Sequence, residues 1–157
     1  MRFAGIISDT HGLLRPEALS ALKGSELIIH AGDIGNPQIL EELTRIAQVF
    51  AVRGNTDRGA WAHAVPESRI VEFNGYSVYV LHDLDQLDLD PTSANFRAVI
   101  TGHTHRPKVE SKDGVLYFNP GSAGPRRFQL PVSVGKLTVA DGALAAEIID
   151  LPCGNTA

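Results

Sequence analysis

Residues 2–11 read RFAGIISDTH, a short apolar run that stops abruptly at the polar cluster Ser8-Asp9-Thr10-His11. The same pattern recurs twice downstream. Residues 27–31, LIIHA, stop at Gly32-Asp33, and residues 48–52, QVFAV, stop at Arg53-Gly54-Asn55. Apolar runs of this length bounded by Gly and Asp are expected to be buried strands. Helical spacing lies between them. Leu14, Ala18, Leu19 and Leu22 share one helix face behind Pro16, and proline suits a first helical turn. Ile39, Leu40, Leu43, Ile46 and Ala47 form a second stripe, with Asn36 as N-cap and Pro37 at N1. Strand, helix, strand, helix, strand predicts a parallel βαβ sheet.

Working outward, turn signals take over. Asn74-Gly75 separates ESRIVEF from YSVYVL, Asp113-Gly114 separates PKVES from VLYFN, and Asp141-Gly142 separates VSVGKLTVA from ALAAEIIDL. Each pair is a hairpin signal. Residues 97–101, RAVIT, add a buried strand, and residues 84–96, polar and broken by Pro91, predict a short helix or loop. The expected fold is an α/β sandwich, parallel in its first half and antiparallel in its second.

The chain has 157 residues, 43% apolar and 20% charged. These values suit one globular domain spanning 1–157 and exclude a disordered, collagen-like or coiled-coil chain. The net charge of −4 argues against a general nucleic-acid-binding surface, which needs a basic face. No apolar run approaches the ~20 residues of a membrane span. The single cysteine, Cys153, cannot form an internal disulfide, and it is expected to be a tail residue with no role. A cytoplasmic protein is expected. A homodimer is permitted by the hairpins and the apolar C-terminal strands, without being required.

The informative residues are those that end the strands. Asp9 and His11, Asp33, Asn55 and Asp57, His82 and Asp83, His103 and His105, and Asn119 to Ser122 all follow apolar runs. In open α/β sheets, ligands bind beyond the carboxyl ends of strands. Residues i and i+2 of an extended segment point the same way, so Asp9 and His11 are expected to aim at one point, as are His103 and His105. Imidazole and carboxylate together suit Mn, Fe, Co, Ni or Zn better than Ca or Mg, and the lack of thiolate excludes a cysteine-type structural zinc site. Asp9, His11, Asp33, Asn55, His82, His103 and His105 are seven donors. One ion needs three or four, so seven with a shared carboxylate predict two ions. Gly32, Gly54 and Gly102 precede donors and permit close backbone approach.

DxH, GD, GNxD, a lone strand-end histidine and GHTH, in that order over roughly residues 3–127, resemble the calcineurin-like metallophosphoesterases. The short length, the GNTD form and NPGS at 119–122 are similar to the small bacterial and archaeal phosphodiesterase branch. The resemblance implies a four-layer α/β/β/α sandwich. It also implies that Asp9, His11, Asp33 and His105 hold one ion and Asp33, Asn55, His82 and His103 the other, with Asp33 bridging. The implied activity is metal-dependent phosphodiester hydrolysis by a metal-bridging hydroxide. Two divalent ions are implied as cofactors, manganese first, with nickel, cobalt, iron and zinc as alternatives.

The remaining polar residues carry weaker expectations. Asn55, Asp57 and His103 are the expected catalytic residues; Asp57 either orients Asn55 or a metal-bound water, or forms a turn. Arg126 and Arg127 follow NPGS and match phosphate geometry, so they are expected to bind substrate. His30 sits inside a strand and is expected to hydrogen-bond rather than ligate; His63 is expected on the surface, and Arg58 and Trp61 in a loop over the site. Two departures stand out from the resemblance. Many relatives have GNH where Thr56 stands, and that histidine protonates the leaving group; threonine has no such acid, which predicts a preference for good leaving groups. The family usually has glycine where Asp83 stands. Two rival functions are a phosphomonoesterase, disfavoured by length and by Thr56, and a protein-interaction scaffold, as in one eukaryotic relative that is a membrane-coat subunit. The complete ligand set favours the enzyme.

Overall fold

Side chains that alternate between two buried faces along the first strands set the layers of the molecule. In the computed structural model, which describes residues 2–127 and 129–152, β1 (Ala4–Ile7), β2 (Leu27–His30) and β3 (Gln48–Ala51) pair in parallel. Successive side chains point to opposite faces. Ile6 and Ile29 therefore enter one core and Ile7 and Ile28 another. The helices α1 (Pro16–Leu22) and α2 (Pro37–Thr44) cover the Ile7–Ile28 face with Ala18, Leu22, Ile39 and Leu43. Both helices begin at proline, as the sequence predicts.

The second sheet contains β4 (Ser68–Phe73), β5 (Tyr76–Leu81), β6 (Ala98–Ile100), β7 (Lys108–Lys112) and β8 (Val115–Asn119), in the order β4-β5-β6-β8-β7. The last hairpin, β9 (Ser133–Ala140) and β10 (Ala143–Asp150), returns to the first sheet, whose order is β10-β9-β1-β2-β3. Ile6 and Ile29 of the first sheet meet Val71, Phe73, Val80, Ile100 and Phe118 of the second in the central core. Each fully buried side chain of this size contributes about 1.5–3 kcal/mol.

All three predicted hairpins form, with φ of 49° and 85° at Asn74-Gly75, 52° and 79° at Asp113-Gly114, and 52° and 76° at Asp141-Gly142. Such paired positive values mark the turn whose twist matches the strands. The expectation of an antiparallel second half needs correction, because β5, β6 and β8 pair in parallel. A hairpin signal identifies only the neighbour in the chain, whereas sheet partners are chosen by the core the strands share. The outer face of the second sheet is thinly covered. A 3-10 turn, Leu84–Gln86, and the following turns bring Leu87 against Leu81, Val99 and Val115. The fold is thus an α/β/β/α sandwich with a reduced fourth layer. One short helix, α3 (Ala60–His63), forms where a loop was expected, and Trp61 packs against the helix-side core. His63 is exposed, as expected. Cys153 lies outside the described residues. No helix among the described residues is long and apolar enough to cross a membrane.

Candidate metal centre

The carboxyl ends of β1, β2 and β3 meet those of β5 and β6 across the sandwich. Main-chain hydrogen bonds stitch the ends together: Asp9 N–H donates to Gly32 O at 2.9 Å, His11 N–H to Asp33 O at 2.9 Å, and Gly102 N–H to His82 O at 2.9 Å. Residues far apart in sequence are thereby fixed around one point.

Asp9 and Asp33 lie at its centre. Asp9 Oδ1 is 3.4 Å from His105 Nε2, 3.7 Å from His11 Nε2 and 3.9 Å from His82 Nε2. Asp33 Oδ2 is 3.2 Å from His82 Nε2 and 3.6 Å from His11 Nε2. The donor atoms gather into two compact groups, Asp9-His11-His105 and Asp9-Asp33-His82. His103 and Asn55 stand on the open side. His103 Nδ1 is 3.2 Å from Asn55 Oδ1, and the His103 ring packs edge-on to His82 with centroids 5.1 Å apart. His103 belongs to neither compact group.

Asp9 Oδ1, His11 Nε2 and His82 Nε2 are buried without a hydrogen-bond partner. An unsatisfied buried polar atom costs about 1–3 kcal/mol, so three in one cluster call for a shared partner. A divalent cation suits this set, since all are imidazole or carboxylate donors. The other oxygens of both carboxylates are already committed: Asp9 Oδ2 accepts from Ser8 Oγ at 2.6 Å and from His103 N–H at 3.0 Å, and Asp33 Oδ1 accepts from Thr56 N–H at 2.9 Å. One oxygen of each is left facing the cluster.

The route by which these side chains converge differs from the sequence expectation. Asp9, His11, Asp33, His103 and His105 all have positive φ, between 46° and 74°. They sit in left-handed turns, so Asp9–His11 and His103–His105 do not converge as members of extended segments. Non-glycine residues in such conformations cost about 1–3 kcal/mol each and concentrate at functional sites. The space is also tight. A Cβ at Gly102 would run into Ser8 and Asp9, and one at Gly54 into the Asp33 carboxylate.

Electrostatics follow from the geometry. Burial alone would push Asp9 up, but His105, His11, His82 and the Ser8 hydroxyl hold it well below the usual carboxylate range. Burial likewise opposes the charge on Asp33, yet His82 and the Thr56 amide bring it down to about 2. His11 is raised chiefly by its contact with Asp9, and His82 is raised against its burial by Asp33 and Asp9.

Residues around the cluster lock its loops. His30 is fully buried and pushed down by that burial to about 4, hence neutral. Gly32 N–H donates to its Nδ1 at 3.1 Å, so Nε2 carries the proton and donates to Thr10 Oγ1 at 3.0 Å, which in turn donates to Ile34 O at 2.8 Å. His30 therefore hydrogen-bonds, as expected. Asp57 is buried, and its carboxylate accepts from Ile34 N–H at 3.1 Å, Gly35 N–H at 3.0 Å and Gly54 N–H at 2.9 Å. That arrangement ties the Asp33 loop to the Asn55 loop. Of the two expectations for Asp57, the turn-forming one matches these contacts. Asn119 Nδ2–H donates to Gly102 O at 2.9 Å, and Ser122 Oγ–H to Asp9 O at 2.9 Å, so NPGS braces two of the loops. Thr10 and Ser8 were not singled out from the sequence; only their adjacency to Asp9 pointed to them. Arg126 and Arg127 are exposed, and Arg127 lies near enough for its charge to oppose protonation of His11.

Two clefts open beside the cluster. The larger, about 580 Å³, is lined by His103, Thr104, Leu84, Leu87, Tyr117 and Asp83 among others. The smaller, about 430 Å³, includes Asn55, His82, Arg53, Tyr79 and again Asp83.

A sandwich of two mixed sheets with a histidine–carboxylate cluster at its strand ends is the architecture of metal-dependent phosphoesterases. The chain belongs to the calcineurin-like phosphoesterase superfamily, whose domain model matches residues 1–142. It is 38% identical over 157 residues to a probable metallophosphoesterase of Methanothermobacter thermautotrophicus, covering 92% of this chain and 90% of that protein. It is 31% identical over 136 residues to a phosphodiesterase of Methanocaldococcus jannaschii, covering 74% of this chain and 81% of the relative. Among solved structures, Vps29 of Entamoeba histolytica complexed with zinc superposes with a TM-score of 0.71 at 20% identity, over 94% of this chain and 98% of that one. At that identity the likeness concerns the fold.

Proposed function

We propose that this chain is a phosphodiesterase that works with two divalent cations, manganese first among Mn, Fe, Co, Ni and Zn. The observation that carries the reading is the convergence of Asp9, Asp33, His11, His82 and His105, with Asp9 Oδ1, His11 Nε2 and His82 Nε2 buried and left unpartnered. Asp9, His11, Asp33 and His105 would hold one ion. Asp33, Asn55, His82 and His103 would hold the other, with Asp33 shared. Such ions, when bound, provide Lewis acidity and a water nucleophile at neutral pH.

The protein's own groups supply the rest. Asn55 offers a carbonyl toward the cluster and an NH₂ that can donate to a phosphate oxygen. Arg126 and Arg127 offer guanidinium forks suited to phosphate. Asp57 acts as a positioning residue through the amides of Ile34, Gly35 and Gly54. Thr56 stands where many relatives carry a histidine acid, so departure of the ester oxygen depends on its own stability as an anion. The single-domain reading of 1–157, a cytoplasmic location and a homodimer are kept as parts of this proposal. A diester preference is supported by the named phosphodiesterase relative. The complete donor set weighs against a scaffold without activity.

The test is hydrolysis of a chromogenic aryl phosphodiester beside the matching monoester, by protein stripped of metal and then given Mn²⁺. Diester turnover that returns only with metal is the expected result. Monoester turnover alone would move the chain to the phosphomonoesterases, and no turnover by folded, metal-loaded protein would favour the scaffold.

A further inference from the structure

Asp83 occupies a position that the metal cluster does not explain. Its Oδ1 accepts from Asp85 N–H at 3.0 Å, which fixes the carboxylate, and its Oδ2 lies 3.8 Å from His103 Nε2. The side chain is 28% exposed. It lines both clefts beside the cluster, the 580 Å³ cleft on the His103 side and the 430 Å³ cleft on the Asn55–His82 side. It is therefore a negatively charged wall shared by two clefts, one reaching His103 and the other Asn55 and His82.

A phosphodiester has two organic arms and one negative charge. A phosphomonoester has one arm and about 1.5–2 charges at pH 7. Two clefts that share one wall fit two arms. A fixed carboxylate at the junction opposes the second charge of a monoester more than the single charge of a diester. Of the cations that line the clefts, Arg53 pairs with Glu67 at 3.0 Å and Lys108 with Glu110 at 3.0 Å, while Arg106 and Lys112 also line the larger one.

We infer that Asp83 is a specificity-determining residue that selects monoanionic phosphodiesters with a substituent on each side of phosphorus over dianionic monoesters. The inference rests on the reading of the site as a phosphodiesterase centre. The larger cleft, walled by Leu84, Leu87 and Tyr117, takes the more apolar or aromatic arm. The smaller, with Arg53, Gln86 and Tyr79, takes the more polar one.

Binding of two unreactive probes to the full, Mn²⁺-loaded chain tests this by calorimetry at about pH 8. Phenylphosphonate is the dianionic, one-armed probe, and its monomethyl ester is the monoanionic, two-armed one. Asp83→Asn removes the charge and keeps the shape; Asp83→Gly removes both. Metal content per chain is measured in parallel. The expected result is that the preference for the monoester-like probe rises about 10-fold in D83N, the size of one unit charge held several ångströms away, with metal content unchanged. D83G is expected to show the same rise, together with weaker discrimination between one-armed and two-armed probes. An unchanged ratio in both variants would overturn the inference. So would a change in D83G alone, which would make the effect one of shape, or a loss of metal in D83N, which would make Asp83 a support for His103. Failure of the wild-type protein to hydrolyse any diester, with the probe preference and its loss in D83N intact, would sink the diesterase reading and leave this one standing.

Discussion

His82 Nε2 lies 3.2 Å from Asp33 Oδ2 while its Nδ1 donates to Ala31 O at 2.8 Å. A carbonyl only accepts, so the neutral ring must carry its proton on Nδ1 and present the Nε2 lone pair to a carboxylate oxygen. Two lone pairs face each other unless a proton or a cation stands between them. The backbone thus fixes the tautomer that binds metal through Nε2.

Asp33 is the residue whose loss should matter most, because its Oδ2 faces both His82 and His11. Asp33→Ala is expected to lower affinity for both ions by more than the roughly 10–100-fold typical of an outer-shell partner, and to remove nearly all turnover. Metal content by atomic spectroscopy beside turnover checks it. Full metal content with retained activity would refute the shared role.

Metal-free protein should show an inverted pH profile of stability. His11 and His82 are raised above their ordinary 6.5, so their contribution is fully present below pH 6.5 and is lost as pH rises through the raised values. Asp33 is lowered from 3.8 to about 2, so its contribution is present above pH 3.8 and is lost as pH falls toward 2. His30, lowered to about 4, works the other way, its contribution being lost as pH falls below 6.5, but pH 6 is only just below that point while both raised histidines act in full. The stripped protein should therefore melt at a higher temperature near pH 6 than near pH 8.5. Saturating Mn²⁺ should reverse the order, since metal competes with protons for the same nitrogens. Calorimetric scans at both pH values, with and without metal, decide the matter.

Asp57 should be a stability residue before it is anything else. Removing its carboxylate orphans three loop amides, those of Ile34, Gly35 and Gly54. Asp57→Ala is expected to cost about 3 kcal/mol, with Asp57→Asn intermediate because an amide has one accepting oxygen. Denaturant unfolding gives the values, and a loss of metal affinity should accompany the loss of stability.

Gly102 should tolerate no side chain. A Cβ there meets Ser8 and Asp9, so Gly102→Ala must displace the carboxylate or the GHTH loop. Weakened metal binding, at least about 10-fold, is expected alongside reduced thermal stability. Gly75→Ala is the control for metal binding: nothing lies within 4 Å of a Cβ at that turn, so it should leave metal affinity unchanged, although its φ of 85° makes the substitution cost some thermal stability.

Thr56 should make the rate sensitive to the leaving group. With no acid at this position, a plot of log rate against leaving-group pKa across aryl diesters is expected to be steep. Thr56→His should flatten it by supplying a proton donor. A flat plot for the wild-type protein contradicts the prediction.

Much of the molecule was legible in order and spacing alone. Runs such as FAGII and LIIHA are buried on both faces, so their apolar character is continuous, and the Asn-Gly and Asp-Gly turns encode their own φ values. The polar strand ends stood out because Asp and His cannot be left in a core without partners. What the chain order did not contain were relations across the sandwich. The return of β9 and β10 to the first sheet, the parallel pairing of β5, β6 and β8, and the meeting of Asp33 with His82 depend on which apolar faces share one core. The left-handed turns at Asp9, His11, Asp33, His103 and His105 were equally hidden, because neither Asp nor His demands positive φ. The packed sandwich imposes that conformation and bears its cost, and that is how separate strand ends come to face one point.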